Sequence, residues 1–155
     1  MLVPLVFAFG LVCATVILHA LGTLEAIAHL GRVWQRQRQR PGQLAVEIQI
    51  VRTVAILLFL HLGEAIVWAV FYLIAHILPD FETSVYFSIT SYTTMGYGDV
   101  VLHAPWRLLG PIEGAVGILM FGWSTAIIVT AVSRFQRPGA WPTPLSDQAD
   151  LPPGQ

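Results

Sequence analysis

The 155-residue chain contains no lysine, a single cysteine and few charged residues of any kind. Because Cys13 is alone, an intrachain disulfide is excluded, and the cysteine content says nothing about the redox compartment. Charged residues make up 11% of the chain and hydrophobic residues 55%, a balance that argues against a soluble domain. The sequence also lacks the patterns of a phosphate-binding loop, a Cys/His zinc site or a catalytic triad. We therefore expect no enzyme, no cofactor, no nucleic-acid partner and no organic substrate.

Three long apolar segments, about 1–31, 44–78 and 106–135, dominate what is present. Each exceeds the roughly 20 residues that an α-helix needs to cross a bilayer. The first could instead be a secretory signal peptide, but it has no basic start and is longer than the usual apolar region of about 7–15 residues. We predict an all-α membrane protein with three transmembrane helices in contact with lipid.

The distribution of arginine residues predicts the orientation of the chain in the membrane. From residue 32 to 43 the chain turns polar, and Arg alternates there with Gln. This alternation does not match a voltage sensor, which needs Arg at every third position of an apolar helix, whereas contact with anionic lipid stays open. With three spans, Arg107 alone falls on one side, and the positive-inside rule then predicts an outer N-terminus and a cytoplasmic C-terminus in the cell membrane. On the cytoplasmic side lie Arg32, Arg36, Arg38, Arg40, Arg52, Arg134 and Arg137.

Polar residues inside the apolar segments predict helix–helix contacts. Thr15, His19 and Thr23 recur at helical spacing, and His61 and Glu64 share a face of the second segment. A charged group at mid-bilayer costs about 2.5–3.5 kcal/mol, so such groups usually face protein and find partners. We expect a hydrogen bond from the second segment to His19 or Thr23. A proton-sensing or regulatory role is the alternative.

The stretch ETSVYFSITSYTTMGYGD, residues 82–99, lies between the second and third apolar segments. A short helix is predicted over 84–93, and Gly96 and Gly98 tolerate the positive φ that an unusual extended loop requires. Its end, TMGYGD, resembles the selectivity filter of potassium channels, which reads TVGYG. The resemblance covers about residues 50–135.

This resemblance implies a homotetrameric pore that conducts K⁺ passively, because one chain carries one filter strand and a filter needs four. It implies an outer helix over 44–78, a re-entrant pore helix over 84–93, a filter over 94–98 and an inner helix over 106–135. The first helix is then an addition, expected at the periphery. The tail, 136–155, is rich in proline and polar residues and is predicted to be disordered.

The resemblance also assigns roles to individual residues. K⁺ would bind at Thr94, Met95, Gly96 and Tyr97, with Gly98 completing the row of backbone carbonyls and Asp99 at the outer mouth. Filter support is expected from Tyr86, Thr90, Tyr92 and Glu113. Gly117 is expected to serve as a gating hinge or simply in helix packing, and Ser124 and Thr125 are expected to line a cavity.

Met95 stands where these channels usually carry Val or Ile, which leaves strict selectivity open. A weakly selective monovalent cation channel is therefore one alternative. A proton- or cation-coupled transporter using His19, His61 and Glu64 is another, although the internal repeats typical of transporters are missing. A non-conducting sensor or scaffold subunit is the third. The sequence does not indicate the gating stimulus.

Overall fold

The computed structural model describes residues 2–36 and 43–136, which form four α-helices. They are α1 (Leu2–Arg36), α2 (Gln43–Ile74), α3 (Phe81–Tyr92) and α4 (Leu109–Gln136). Three of them contain stretches long and apolar enough to cross a membrane, namely Leu2–Ala28, Leu44–Ile74 and Leu109–Ser133. The prediction of an all-helical protein with three transmembrane helices is confirmed. At 12 residues, about 18 Å, α3 is too short to cross a hydrocarbon core of about 30 Å.

Helix α1 extends five residues beyond the predicted end at residue 31, since the polar stretch continues the helix to Arg36. Arg and Gln are good helix formers, so leaving the membrane does not oblige the helix to stop. On this extension the exposed Arg32 guanidinium lies 3.2 Å from the Glu25 carboxylate, two turns earlier. Most of the predicted Arg-rich loop, and the predicted disordered tail from residue 137 onward, lie outside the described residues.

Helix α2 ends at Ile74, four residues before the predicted Leu78. His76 adopts a positive φ of 52°, and its amide donates to the Leu73 carbonyl. The amides of Ile77 and Leu78 both reach back to the Tyr72 carbonyl. A left-handed residue just past a helix, with amides folded back onto the last carbonyls, is a common way to end a helix.

The predicted start of α3 at Ser84 is three residues late, because Asp80 caps the helix. Asp80 has extended backbone angles, and its carboxylate accepts hydrogen bonds from the Thr83 amide at 2.8 Å and the Thr83 hydroxyl at 2.9 Å. These bonds satisfy donors that a helix N-terminus leaves free, and they hold the pKa of the Asp80 carboxyl below its ordinary value. The helix ends at Tyr92, and Thr93 follows as its C-cap.

Helix α4 begins at Leu109, three residues after the predicted Trp106. Residues 104–108 form turns, with hydrogen bonds from the Trp106 amide to the His103 carbonyl and from the Leu109 amide to the Trp106 carbonyl. Pro111 then falls in the first helical turn, where its missing N–H has no intrahelical partner to lose.

The four helices pack so that α3 lies against both α2 and α4, while α1 also contacts α2 and α4. Close approach of α1 to α2 occurs at Gly22, where a Cβ atom would come within 2.5 Å of Leu60. Helix α1 is therefore an integral part of the helix packing within the chain, and its peripheral place in an assembly stays a prediction. The main apolar cluster, at the loop end of the helices, comprises Trp68, Tyr72, Leu78, Phe87, Leu102 and Leu109.

Candidate functional site

The loop that follows α3 has an unusual backbone. Thr94, Gly96 and Gly98 have φ values of 59°, 51° and 82°, whereas Met95 and Tyr97 between them stay outside the positive region. The Thr94 amide donates to the Ser91 carbonyl and the Gly96 amide to the Thr90 carbonyl, so the loop is tied to the last turn of α3. Positive φ costs little at glycine but about 1–2 kcal/mol at a residue such as threonine. The conformation is thus partly strained and is maintained by these backbone bonds.

The two side chains between these positions point away from the chain's own core. Met95 is 58% exposed and Tyr97 67% exposed. A cavity of about 850 Å³ lies between the loop and α4. Its lining includes Phe87, Thr94 and Ile118. The side chains that the structure describes therefore leave this space unfilled.

Tyr86 contacts the far end of the loop. Its hydroxyl donates a 2.7 Å hydrogen bond to the Asp99 carboxylate. This bond stabilises the charged form of Asp99, so it lowers the pKa of Asp99 and raises that of Tyr86. The predicted support residue Thr90 contributes through its backbone, while its hydroxyl donates to the Phe87 carbonyl within α3.

Three glycines on α4 form the surface against which α3 packs. A Cβ atom on Gly110 would lie 3.1 Å from the Phe87 ring, and one on Gly114 would lie 3.0 Å from the Ser91 carbonyl oxygen. A Cβ atom on Gly117 would lie 2.0 Å from the Tyr92 carbonyl oxygen. At that distance any side chain at position 117 would clash with the backbone of α3. Close helix packing therefore accounts for the glycine at 117, and a hinge at this position stays a prediction.

Glu113, which is fully buried on α4, connects α4 to α2 and α3. Its Oε2 accepts a 2.7 Å hydrogen bond from the Tyr72 hydroxyl, and its Oε1 lies 2.5 Å from the Ser88 hydroxyl oxygen. Ser88 Oγ also lies 2.6 Å from the Ala65 carbonyl oxygen. A serine has one hydroxyl proton, so both contacts are hydrogen bonds only if Glu113 is protonated and donates to Ser88. Glu113, which was expected to support the filter, thus contacts α3 rather than the loop that follows it.

A second buried polar cluster lies where α1, α2 and the end of α3 meet. His19 Nδ1 is 2.8 Å from Glu64 Oε1, which confirms the expected hydrogen bond between the first two segments. The Tyr92 hydroxyl donates to Glu64 Oε2 and lies 3.1 Å from His61 Nδ1. Thr15 and Thr23 continue the buried face of α1, and Thr15 Oγ1 accepts a 2.9 Å hydrogen bond from the Trp68 ring.

This cluster corrects two predicted positions. Tyr92 was expected to support the filter, but its side chain is buried and directed toward Glu64. Ser124 was expected to line a cavity, yet it is buried 3.5 Å from His19 Nε2, because its face of α4 packs against α1. Thr125 is exposed, and its hydroxyl donates to the Phe121 carbonyl of its own helix.

Sequence reasoning missed Tyr72 and Ser88 as partners of Glu113, and Asp80 as the cap of α3. Ser84 and Ser88 are four residues apart and both fully buried. That spacing of small hydroxyls was the available signal for a polar face on α3. Tyr72 gave no such signal, since an aromatic residue in an apolar run is ordinary in a membrane helix.

The model of an ion channel family matches residues 53–134, which include most of α2 and, except for its end, α4. Those residues contain the strained loop and all partners of Glu113, whereas α1 lies outside the match. No curated protein and no solved structure matches the chain.

Proposed function

Because the chain belongs to this ion channel family, a potassium channel pore-domain family, we propose that it conducts K⁺ selectively and passively through a homotetrameric pore. Residues 94–98 would form the filter, with Asp99 at its outer mouth. Helix α3 would be the re-entrant pore helix, and α4 would line the pore below the filter.

The observation that carries this proposal is the alternation of φ from Thr94 to Gly98. In an ordinary strand, successive residues face opposite sides, and so do their carbonyl groups. A sign change in φ at every second residue offsets that alternation and lets successive carbonyls face one side. A row of carbonyl oxygens on one side is what a dehydrated K⁺ ion requires.

The position of α3 supports the same proposal. Its C-terminal end, which carries the partial negative charge of the helix dipole, immediately precedes Thr94. A cation beside the inner end of the filter would be stabilised by that charge. Non-helical backbone at membrane depth is tolerated where it is buried in protein or lines water, a condition that a pore loop meets.

Assembly into a tetramer follows from the filter itself, since one chain supplies one of four carbonyl rows. The exposed side chains of Met95 and Tyr97 and the cavity between the loop and α4 support this assembly, because neighbouring copies could cover them. The arginine distribution supports an outer loop and a cytoplasmic C-terminus in the cell membrane.

The proposal is tested by flux through the purified protein in liposomes, measured with K⁺, Na⁺ and a large organic cation. We expect K⁺ flux that barium blocks, with Na⁺ flux far lower. The Gly96→Ala variant should lose K⁺ flux, since alanine at φ 51° is strained by about 1–2 kcal/mol per residue. In a tetramer the four strained positions lie around a single axis, so we expect the filter to rearrange.

Gly10→Ala is the matched control, because a Cβ atom at Gly10 meets none of the described residues within 4 Å and α1 lies outside the proposed filter. It should retain the flux of the unmodified protein. Equal K⁺ and Na⁺ flux would contradict selectivity and favour the weakly selective channel. Flux that survives Gly96→Ala would contradict the assignment of the filter.

A further inference from the structure

The buried cluster at the junction of α1, α2 and α3 contains three side chains that commonly bind metals. His19 comes from α1, His61 and Glu64 come from α2, and all three are buried. Each offers one ligand atom such that these atoms lie within 4.8 Å of one another. Glu64 lies ten residues before the end of α2, about 15 Å along the helix and therefore near the middle of the membrane.

The hydrogen bonds of the protein leave this cluster incomplete. His61 Nε2 is buried and has no hydrogen-bond partner within the part of the chain that the structure describes. His61 Nδ1, by contrast, lies close to two groups at once, the Tyr92 hydroxyl at 3.1 Å and Glu64 Oε2 at 3.5 Å. Hydrogen bonds therefore do not fully fix the ring of His61, whose Nδ1 faces the same Glu64 carboxylate that His19 Nδ1 contacts.

We propose that His19, His61 and Glu64 form a binding site for a divalent transition-metal ion of the Zn²⁺ class. Zinc binds histidine nitrogen at about 2.0–2.1 Å and carboxylate oxygen at about 2.0–2.2 Å, which places neighbouring tetrahedral ligands roughly 3.3 Å apart. In the structure one ligand atom from each residue lies within 4.8 Å of the others, with His19 Nδ1 2.8 Å from Glu64 Oε1 and His61 Nδ1 3.5 Å from Glu64 Oε2, so small side-chain rotations would bring them to that spacing. With three protein ligands, a water molecule would take the fourth tetrahedral position.

The surroundings suit such an ion. A metal-bound histidine usually donates its other ring N–H to an acceptor, and Ser124 Oγ lies 3.5 Å from His19 Nε2. The rings of Phe121 and Trp123 pack against the two histidines, with centroid distances of 4.3 Å from His61 and 5.3 Å from His19. A divalent cation would also balance the charge of a carboxylate that is buried at membrane depth.

An ion at this site would join α1 to α2 beside the end of α3. Tyr92 is the last residue of α3, and its carbonyl packs against Gly117 of α4. Because the Tyr92 hydroxyl donates to Glu64, binding would also connect α1 to the end of the helix that leads into residues 94–98. Metal binding itself does not depend on the proposed channel function and can be measured without any flux.

The experiment uses the full chain, purified in detergent with an affinity tag that contains no histidine. The protein is depleted of metal with a chelator, loaded with Co²⁺ or Zn²⁺ and separated from free ion by gel filtration. We expect one ion per chain by mass spectrometry, a visible absorption spectrum typical of tetrahedral Co²⁺, and a higher unfolding temperature with Zn²⁺. A metal content below one ion per ten chains in the loaded, unmodified protein would overturn the proposal, whatever the variants show.

Variants then locate the ion. His19→Gln and Glu64→Gln should each lower the metal content at least tenfold, while His103→Gln, a change at an exposed histidine outside the cluster, should retain one ion per chain. Circular dichroism and gel filtration check that each variant is folded. Full metal content in folded His19→Gln and Glu64→Gln would overturn the proposed site. An octahedral Co²⁺ spectrum of the unmodified protein would overturn it as well, because it would indicate a different ligand set.

Discussion

Replacement of Gly117 by alanine distinguishes close helix packing from a gating hinge. The new Cβ atom would lie 2.0 Å from the Tyr92 carbonyl oxygen and 2.9 Å from its carbonyl carbon. Carbon and carbonyl oxygen approach each other to about 3.3–3.6 Å even in favourable C–H···O contacts. The end of α3 and α4 would therefore have to separate by at least about 1.3 Å.

Little in the neighbourhood can absorb that movement. The atom that Gly117 meets belongs to the backbone, so no side-chain rotation relieves the contact. The Tyr92 side chain is held by its hydrogen bond to Glu64, and α3 is also held by the contact of Ser88 with Glu113. Overpacking of this kind costs about 1–3 kcal/mol, and we expect Gly117→Ala to lie at the upper end of that range.

The measurement is the free energy of unfolding in mixed detergent micelles, followed by circular dichroism. Gly122→Ala is the matched control in the same helix, because a Cβ atom there has no atom of residues 2–36 or 43–136 within 4 Å. Alanine is favoured over glycine in helices by about 0.8–1.0 kcal/mol, so Gly122→Ala should be neutral or stabilising. If Gly117→Ala is as stable as the unmodified protein but loses flux, the packing explanation is wrong and a hinge is favoured.

The remaining predictions concern three polar contacts. The free energy of unfolding of Glu113→Gln should stay within about 1 kcal/mol of that of the unmodified protein, because the amide can donate to Ser88 as a protonated carboxyl does. Glu113→Ala should cost about 2–5 kcal/mol in the same unfolding assay. Equal losses in the two variants would contradict a protonated Glu113. Asp80→Ala should cost about 0.5–2 kcal/mol and Asp80→Asn less, because asparagine also caps helices. Tyr86→Phe removes the hydrogen bond that lowers the pKa of Asp99. Acid should therefore reduce K⁺ flux through this variant with a midpoint at higher pH than in the unmodified protein. An unchanged midpoint would mean that Asp99 does not control the loss of flux in acid.

The sign of the Asp80 contribution follows from its lowered pKa. The charged cap stabilises α3 fully above the ordinary value of 3.8, and the stabilisation is lost as the pH falls through the lower value of the folded protein. Asp80→Ala should therefore show a weaker acid dependence of stability than the unmodified protein. A stability curve of identical shape in both proteins would show that the cap is not ionised.

Local features predicted the membrane class well. Apolar length and scarce charge are enough to identify three spans, because a bilayer imposes the same length on any helix that crosses it. The motif TMGYGD pointed to the strained loop, since glycine at alternate positions marks a backbone that other residues resist. The polar face of α1 was also predictable, because Thr15, His19 and Thr23 follow the helical repeat.

Helix ends and long-range partners were harder to predict. The cap at Asp80 and the early end of α2 depend on hydrogen bonds among a few residues, for which hydrophobicity carries no signal. Tyr92 was placed beside the filter by analogy, but the fold buries its hydroxyl between His61 and Glu64. Ser124 likewise faces α1 because α1 packs against α4. Residues so far apart in the chain meet only after the helices pack together. The composition of the buried cluster is therefore determined by the packing of the helices.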